Sequence, residues 1–276
     1  MMMQLIHHTV AAGLALLFCG ALAATAQPRA SHCIAVAKGP ERLHAAYFGQ
    51  PLDPFTVRLS FVNHATFLIE SPAGVVAATD YAGFLGTRDF VPDIVTMNNA
   101  HRTHFTDRPD PRIPHVLRGW SPEPGQEAAH DVVVGDMRVR NVTTDIRGGF
   151  TGVRPAGNSI FVFEVEGLCI AHLGHLHHEP DDMQYASLGR IDVVMVPVDG
   201  GYTMDLEAMI RVLERLRASV VVPMHWFGEP NLQRFLAGMR GRYEIVEPGE
   251  RSFEVSLRSL PSRPQVHVLR PAFLND

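Results

Sequence analysis

The sequence predicts an α/β fold in which helices pack outside a layered sheet core. Three observations carry this. The first half is a succession of short β-rich runs joined by turn signals, and the second half alternates apolar strands with amphipathic helices. In addition, 46% of the 276 residues are hydrophobic, enough for a sizeable core without disulfide staples. No internal repeat or low-complexity block interrupts the pattern.

The elements follow in order. Residues 5–26, LIHHTVAAGLALLFCGALAATA, carry no charged side chain, and the apolar run 11–24 closes in Ala24-Thr25-Ala26. That is the make-up of a cleaved export signal, although the segment before it lacks Lys and Arg. It falls short of the ~20 apolar residues of a membrane span. The expected organisation is a signal peptide at 1–26, an N-terminal arm at 27–56 and one domain at 57–276. The expected location is periplasmic or secreted.

Within the domain VRLSFV (57–62), TFLIES (66–71) and GVVAATD (74–80) read as strands, the last two joined by a Pro72-Ala73 turn. DIVTMN (93–98) is a buried strand, and the proline-punctuated stretch after it is loop apart from a short strand at 115–118. Residues 131–144 and 159–173 read as hairpins turning at Gly135-Asp136 and Glu166-Gly167. The pattern then changes. IDVVMVPV (191–198) is a strand, and 204–218 a helix with Leu206, Met209, Ile210, Leu213 and Leu216 at helical spacing. SVVVPM (219–224) is a strand. PNLQRFLAGMRG is a helix with Pro near its start and Gly at its end, and SFEVSL (252–257) closes the regular structure.

The net charge of −5 lies outside the leader, and no basic run or aromatic-basic stripe is present. Nucleic acid is therefore not an expected partner, nor is a membrane once the signal is removed. Nothing in the sequence sets the oligomeric state. Cys33 and Cys169 remain after cleavage. Export permits them to pair, but Cys169 lies in an apolar strand, and the expectation is a buried free thiol.

Histidine supplies 15 of the 276 residues, and AHLGHLHHEP (171–180) holds His172, His175, His177 and His178 within seven positions. Three histidine groups share a placement: His101 and His104 follow DIVTMN, the 172–178 group follows LCIA, and His225 follows VVVPM. Each stands where an apolar strand stops. Ends of adjacent strands converge on one rim of a sheet, where ligands bind in layered α/β folds. Imidazole is the commonest zinc donor, so the pattern points to a metal site. Competing chemistries lack their signatures: there is no G-x-S-x-G, no Walker loop and no G-x-G-x-x-G.

The order NHATFLIES…AATD, TMNNAHRTH, GNSIFVFEVEGLCIAHLGH, DVVMVPVDGGYTMD and VVVPMHWFG resembles the metallo-β-lactamase fold superfamily. It is most similar to the ascorbate-phosphate-lactonase-like branch of metal-dependent hydrolases. The resemblance runs from about Val57 to Leu236 and implies a four-layer αββα sandwich with a metal site at one edge, between two sheets. It also exposes departures. Against the superfamily's His-x-His-x-Asp-His this chain has Asn99, His101, Thr103 and His104. The usual Gly-Asp after the middle strand is Gly174-His175, and the hairpin histidine is missing, with only Thr143, Thr144 and Asp145 nearby. His225 matches the last histidine ligand.

The expected ligands are therefore His101, His104, His175 and His225. Asn99, Asp145, His172, His177 and His178 are further ligand or supporting candidates, His178 foremost. An imidazole at the bridging position cannot easily join two dications, so one ion, zinc or another divalent transition metal, is expected. Asp80 matches a carboxylate beneath the metal motif and is expected to orient His101 or His104. With Thr103 in place of aspartate, Asp80, Asp199 or a free histidine would serve as general base. His64 reads as a packed, hydrogen-bonded residue. Two functions are expected: a hydrolase of an ester, lactone or phosphoester, or a degenerate relative that binds metal or a small ligand without turnover.

Overall fold

The apolar runs pair into two sheets in the computed structural model, which describes residues 31–34, 44–45, 48–123, 126–148 and 152–274. The expected signal peptide and part of the arm lie outside the described residues. Strands are numbered along the chain. The first sheet has the order β1 (His44–Ala45), β14 (Ser252–Val255), β2 (Val57–Asn63), β3 (Thr66–Glu70), β4 (Val76–Ala78), β5 (Ile94–Met97), β6 (His115–Arg118). The second has the order β13 (Glu244–Val246), β15 (Gln265–His267), β12 (Val220–Met224), β11 (Val193–Pro197), β10 (Leu168–His172), β9 (Val153–Val165), β8 (Met137–Arg147), β7 (Asp131–Val134).

Period-2 alternation explains why the sheets face each other. Leu59, Phe61, Phe67 and Ile69 of the first sheet and Phe161, Phe163, Met195 and Val222 of the second are buried in one apolar cluster. Phe61 stacks on Phe67 at 4.4 Å within it. The opposite residues of the second sheet, Val194 and Val221 among them, pack in another cluster with Met209, Leu213, Phe235 and Leu236. Those four belong to helices α2 (Leu206–Leu216) and α3 (Glu229–Met239). The outer face of the first sheet is covered by Tyr81, Leu85, Ile113 and Leu274 from connecting segments. The expected α/β sandwich is this arrangement.

Local signals set the boundaries. The Asp205 side chain accepts the Ala208 N–H and starts α2, which stops at Arg217 in the left-handed conformation. The turns at 135–136 and 166–167 connect strands as expected. Three features went unread in the sequence. β8 and β9 are longer than the runs suggested and pair with each other; β13 and β15 are short strands at the edge of the second sheet. Helix α1 (Asp182–Leu188) is short, and a capping box between Asp181 and Gln184 opens it.

One expectation is overturned. Cys33 and Cys169 form a disulfide, with Cα atoms 5.6 Å apart. The short 3-10 turn His32–Ile34 places Cys33 on β10, and both cysteines are buried in the helix-side core. The apolar surroundings of Cys169 enclose the bridge instead of a free thiol. It joins positions 136 residues apart, and closing so long a loop constrains the unfolded chain. Replacing both cysteines by serine is expected to lower unfolding free energy by about 2–5 kcal/mol. Denaturation of wild type with and without reductant should reproduce that loss; an unchanged midpoint would show that the bridge contributes nothing.

Candidate metal centre

Strands β4 to β6 and β10 to β12 run parallel within their sheets. Their carboxyl ends therefore open on one rim, where connecting loops begin. Asp80 follows β4, His101 and His104 follow β5, His175 follows β10, Asp199 follows β11 and His225 follows β12. A further histidine, His64, lies in the two-residue turn between β2 and β3. Its carbonyl accepts the His225 N–H at 2.8 Å, so the two sheets are tied at the site. His64, Asp80 and His225 all have positive φ, at 50°, 43° and 57°. Non-glycine residues in that region cost roughly 1–3 kcal/mol each and cluster where a site demands them.

The histidines converge. Nε2 of His104 and Nε2 of His225 are 3.1 Å apart. Candidate ligand nitrogens of His101, His104 and His175 lie within 4.8 Å of one another, and so do those of His64, His104 and His225. The His175 ring is 4.8 Å from that of His104 and 5.2 Å from that of His225. Gly174 makes the approach possible. Its φ is +60°, and a Cβ there would come within 2.5 Å of the Asn98 side chain. Asn158 fixes the same loop by accepting the His175 N–H at 2.9 Å, and it bridges Asn99 through the backbone.

Two buried carboxylates set the tautomers. Asp80 Oδ2 accepts from His104 Nδ1 at 2.6 Å, while its Oδ1 accepts the Asn98 N–H at 2.8 Å. Asp199 Oδ2 accepts from His225 Nδ1 at 2.8 Å and from the Thr203 hydroxyl at 2.6 Å. Its Oδ1 accepts the N–H groups of Gly201, Tyr202 and Thr203. With the proton of each imidazole on Nδ1, both Nε2 atoms present lone pairs. Two lone pairs facing at 3.1 Å repel unless a cation lies between them. Zinc–nitrogen bonds of ~2.1 Å in tetrahedral geometry separate donors by roughly 3.4 Å, so the pair fits one such ion.

Electrostatics keep three of the converging imidazoles, His104, His175 and His64, neutral. Burial and the neighbouring imidazoles push His104 well below its ordinary value, His175 down to about 2 and His64 down to about 3. Burial pushes the Asp80 carboxyl up to about 6, against the pull of His172 and the Asn98 N–H. Burial would likewise raise Asp199, but its hydrogen bonds from His225 and Thr203 hold it below the usual carboxylate range. Both are carboxylates at neutral pH.

The general-base role expected of Asp80 and Asp199 meets a geometry in which both carboxylates already accept from imidazoles. Asp80 is fully buried, Asp199 nearly so, and both are committed to orienting imidazoles. The histidine on Asp80 is His104, and the one on Asp199 is His225. The other candidates are placed as follows. His172 is locked, Nε2 on the Ala65 carbonyl and Nδ1 accepting the Gly174 N–H. His177 accepts the Arg147 N–H on Nδ1 and meets His175 Nδ1 through Nε2 at 2.8 Å. His178 stands beyond His177, ring centres 6.5 Å apart, and Asp145 is exposed, accepting the Ala156 N–H. Neither belongs to a ligand group among the described residues. His64 was read as packed and hydrogen-bonded, yet its buried Nε2 has no partner and it joins a ligand group. Its signal was the one used for the others, a histidine where an apolar strand stops. Beside it Tyr202 and Phe227 form an exposed rim, ring centres 5.0 Å apart, with Phe227 5.2 Å from His225.

A two-sheet sandwich with histidines at one rim defines a class, and comparison gives the family. Residues 58–225, more than half the chain, match the family model described as "Beta-lactamase superfamily domain". This chain belongs to that superfamily, the metallo-β-lactamase fold. It is 24% identical over 223 residues to a UPF0173 metal-dependent hydrolase of Pyrococcus abyssi, covering 70% of this chain and 98% of the relative. A UPF0173 metal-dependent hydrolase of Anaeromyxobacter sp. (strain K) is 26% identical over 235 residues, 70% of this chain and 85% of that one. Among solved structures, a candidate Zn-dependent hydrolase of the metallo-β-lactamase superfamily from Thermotoga maritima is 27% identical, with a TM-score of 0.54. The match covers 77% of this chain and 98% of that one. Igni18, a metallo hydrolase of Ignicoccus hospitalis, shares the fold at 21% identity and a TM-score of 0.53, covering 73% and 99%.

Proposed function

We propose that this protein is an exported metal-dependent hydrolase that uses one divalent ion, zinc, on an ester, lactone or phosphoester. The observation that carries the reading is the pair of facing Nε2 lone pairs on His104 and His225. An all-imidazole donor set suits zinc. Both ligand groups share His104, and its Nε2 has a single lone pair, so only one of the two positions can be filled at a time. Bound there, zinc supplies an acidified water and a Lewis acid for the electrophile.

The chain's own residues do the remainder. Asp80 and Asp199 hold the two anchoring imidazoles in the donor tautomer. His101, exposed at the mouth and facing Thr103 Oγ1 at 3.0 Å, is the histidine open to solvent and takes the proton role the buried carboxylates cannot fill. Tyr202 and Phe227 favour a substrate with an apolar or aromatic group, packed on the rim beside the scissile bond. Export is supported by the uncharged leader and by the Cys33–Cys169 disulfide, which an oxidising compartment preserves. Among the described residues no helix is long and apolar enough to cross a membrane.

A second reading, metal or ligand binding without turnover, rests on Asn99, Thr103 and His175 standing where the superfamily has ligand or catalytic residues. Mature protein should be assayed against aryl esters, lactones and a bis-aryl phosphate, before and after chelation. The expected result is turnover of at least one class, lost on chelation and restored by zinc. Zinc-loaded protein inert to every class would favour the second reading.

A further inference from the structure

Two histidine triads compete for the ion, and the hydrogen-bond pattern separates them. The Arg147 N–H donates to His177 Nδ1 at 2.7 Å, which places the proton of neutral His177 on Nε2. That Nε2–H, which also has the Tyr202 carbonyl as an acceptor, is 2.8 Å from His175 Nδ1, and two N–H groups cannot face each other at that distance, so Nδ1 of His175 carries no proton. Its lone pair faces His177, and the proton of neutral His175 sits on Nε2. Neither nitrogen of His175 has a lone pair left for a metal. His64 is the opposite case. Its Nε2 is buried without a hydrogen-bond partner, an uncompensated loss of hydration unless something binds there. Its ring lies 4.0 Å from that of His225, and its carbonyl fixes the His225 backbone.

We infer that His64 is a metal ligand, that the ion is held by His64, His104 and His225, and that His175 presents an N–H donor to the site. This rests on the proposed metal-dependent reading and specifies its ligand set. The distances are close to what an ion needs: candidate nitrogens of the triad lie within 4.8 Å of one another, against roughly 3.4 Å between donors on a tetrahedral zinc. His175 then offers a fixed hydrogen bond to an oxygen developing negative charge, a role for which an imidazole N–H suffices.

The test compares His64→Phe, which keeps the ring and removes the donor, with His175→Gln, which keeps an N–H donor. Zinc affinity is measured by competition with a chelator, and cobalt-substituted protein reports coordination through its visible absorption. His64→Phe is expected to weaken zinc by at least about 100-fold, beyond the 10- to 100-fold loss typical of an outer hydrogen-bond partner. Its cobalt bands should also change. His175→Gln should stay within about 10-fold of wild type with the cobalt bands preserved. Wild-type affinity in His64→Phe, or a larger loss in His175→Gln, would overturn the assignment while leaving a metal enzyme in place. Wild-type protein that binds no zinc would remove the functional reading itself. If His64→Phe does not fold, zinc anomalous scattering from crystals of wild type decides: His64 Nε2 at about 2.1 Å from the ion supports the proposal, and His175 in its place refutes it.

Discussion

Replacing His104 by glutamine is expected to empty the metal centre. Zinc content should fall from about one ion per chain to below about 0.1, because His104 belongs to both triads and its Nε2 is the shared donor. Glutamine is chosen over alanine because its amide N–H can still satisfy Asp80, which is fully buried. An unpaired carboxylate there would destabilise the fold and confuse the reading. Turnover should drop by about a thousandfold or more, equivalent to about 4 kcal/mol of barrier, with the melting temperature of the metal-free protein little changed. Asp80→Asn should act through the same imidazole with a smaller effect. A 10- to 100-fold weaker zinc affinity is expected, since Nδ1 would lose its anionic acceptor. Full zinc occupancy in His104→Gln would mean that the histidines converge for some other purpose.

A second large effect is expected away from the centre. His267 on β15 is buried against Phe253, ring centres 4.6 Å apart, and neither ring nitrogen has a hydrogen-bond partner. Burial pushes it down to about 4 from an ordinary 6.5. Between those values the unfolded chain takes up a proton that the folded chain refuses. His267 therefore makes stability fall as the pH drops from 6.5 towards 4, by on the order of 3 kcal/mol in full. His267→Leu removes both the stranded nitrogens and the titration. The variant should be more stable than wild type by about 1 kcal/mol at pH 7.5, and by about 2 kcal/mol more at pH 5. Denaturant titrations at the two pH values measure this, and the acid sensitivity of the other buried histidines cancels in the difference. An equal gain at both would show that His267 takes a proton in the folded state as readily as in the unfolded.

Much of the site was legible because strand ends are legible. His101, His104, His175 and His225 each follow an apolar run, and parallel strands deliver such positions to one rim. Asp80 and Asp199 were visible for the same reason, as was an orienting part for Asp80, but the contact of Asp199 with His225 was not. Whether a carboxylate meets water or an imidazole depends on burial from the opposite sheet. Cys33 reaches Cys169 across 136 residues, and nothing local to an apolar strand announces a partner so far away. The edge strands β13 and β15 are three residues each, too short for a period to show.

By itself the sequence determined the alternation of strands and helices, the hairpin turns and the concentration of histidines at strand ends. These follow from side-chain periodicity and backbone preference, which act over a few residues. Only the tertiary structure decided which histidines face one another, which nitrogen of each carries its proton, and that His64 belongs with His104 and His225. Those features depend on lone pairs and buried acceptors brought together from loops 24 to more than a hundred residues apart, where desolvation and hydrogen-bond geometry rather than local pattern set the chemistry.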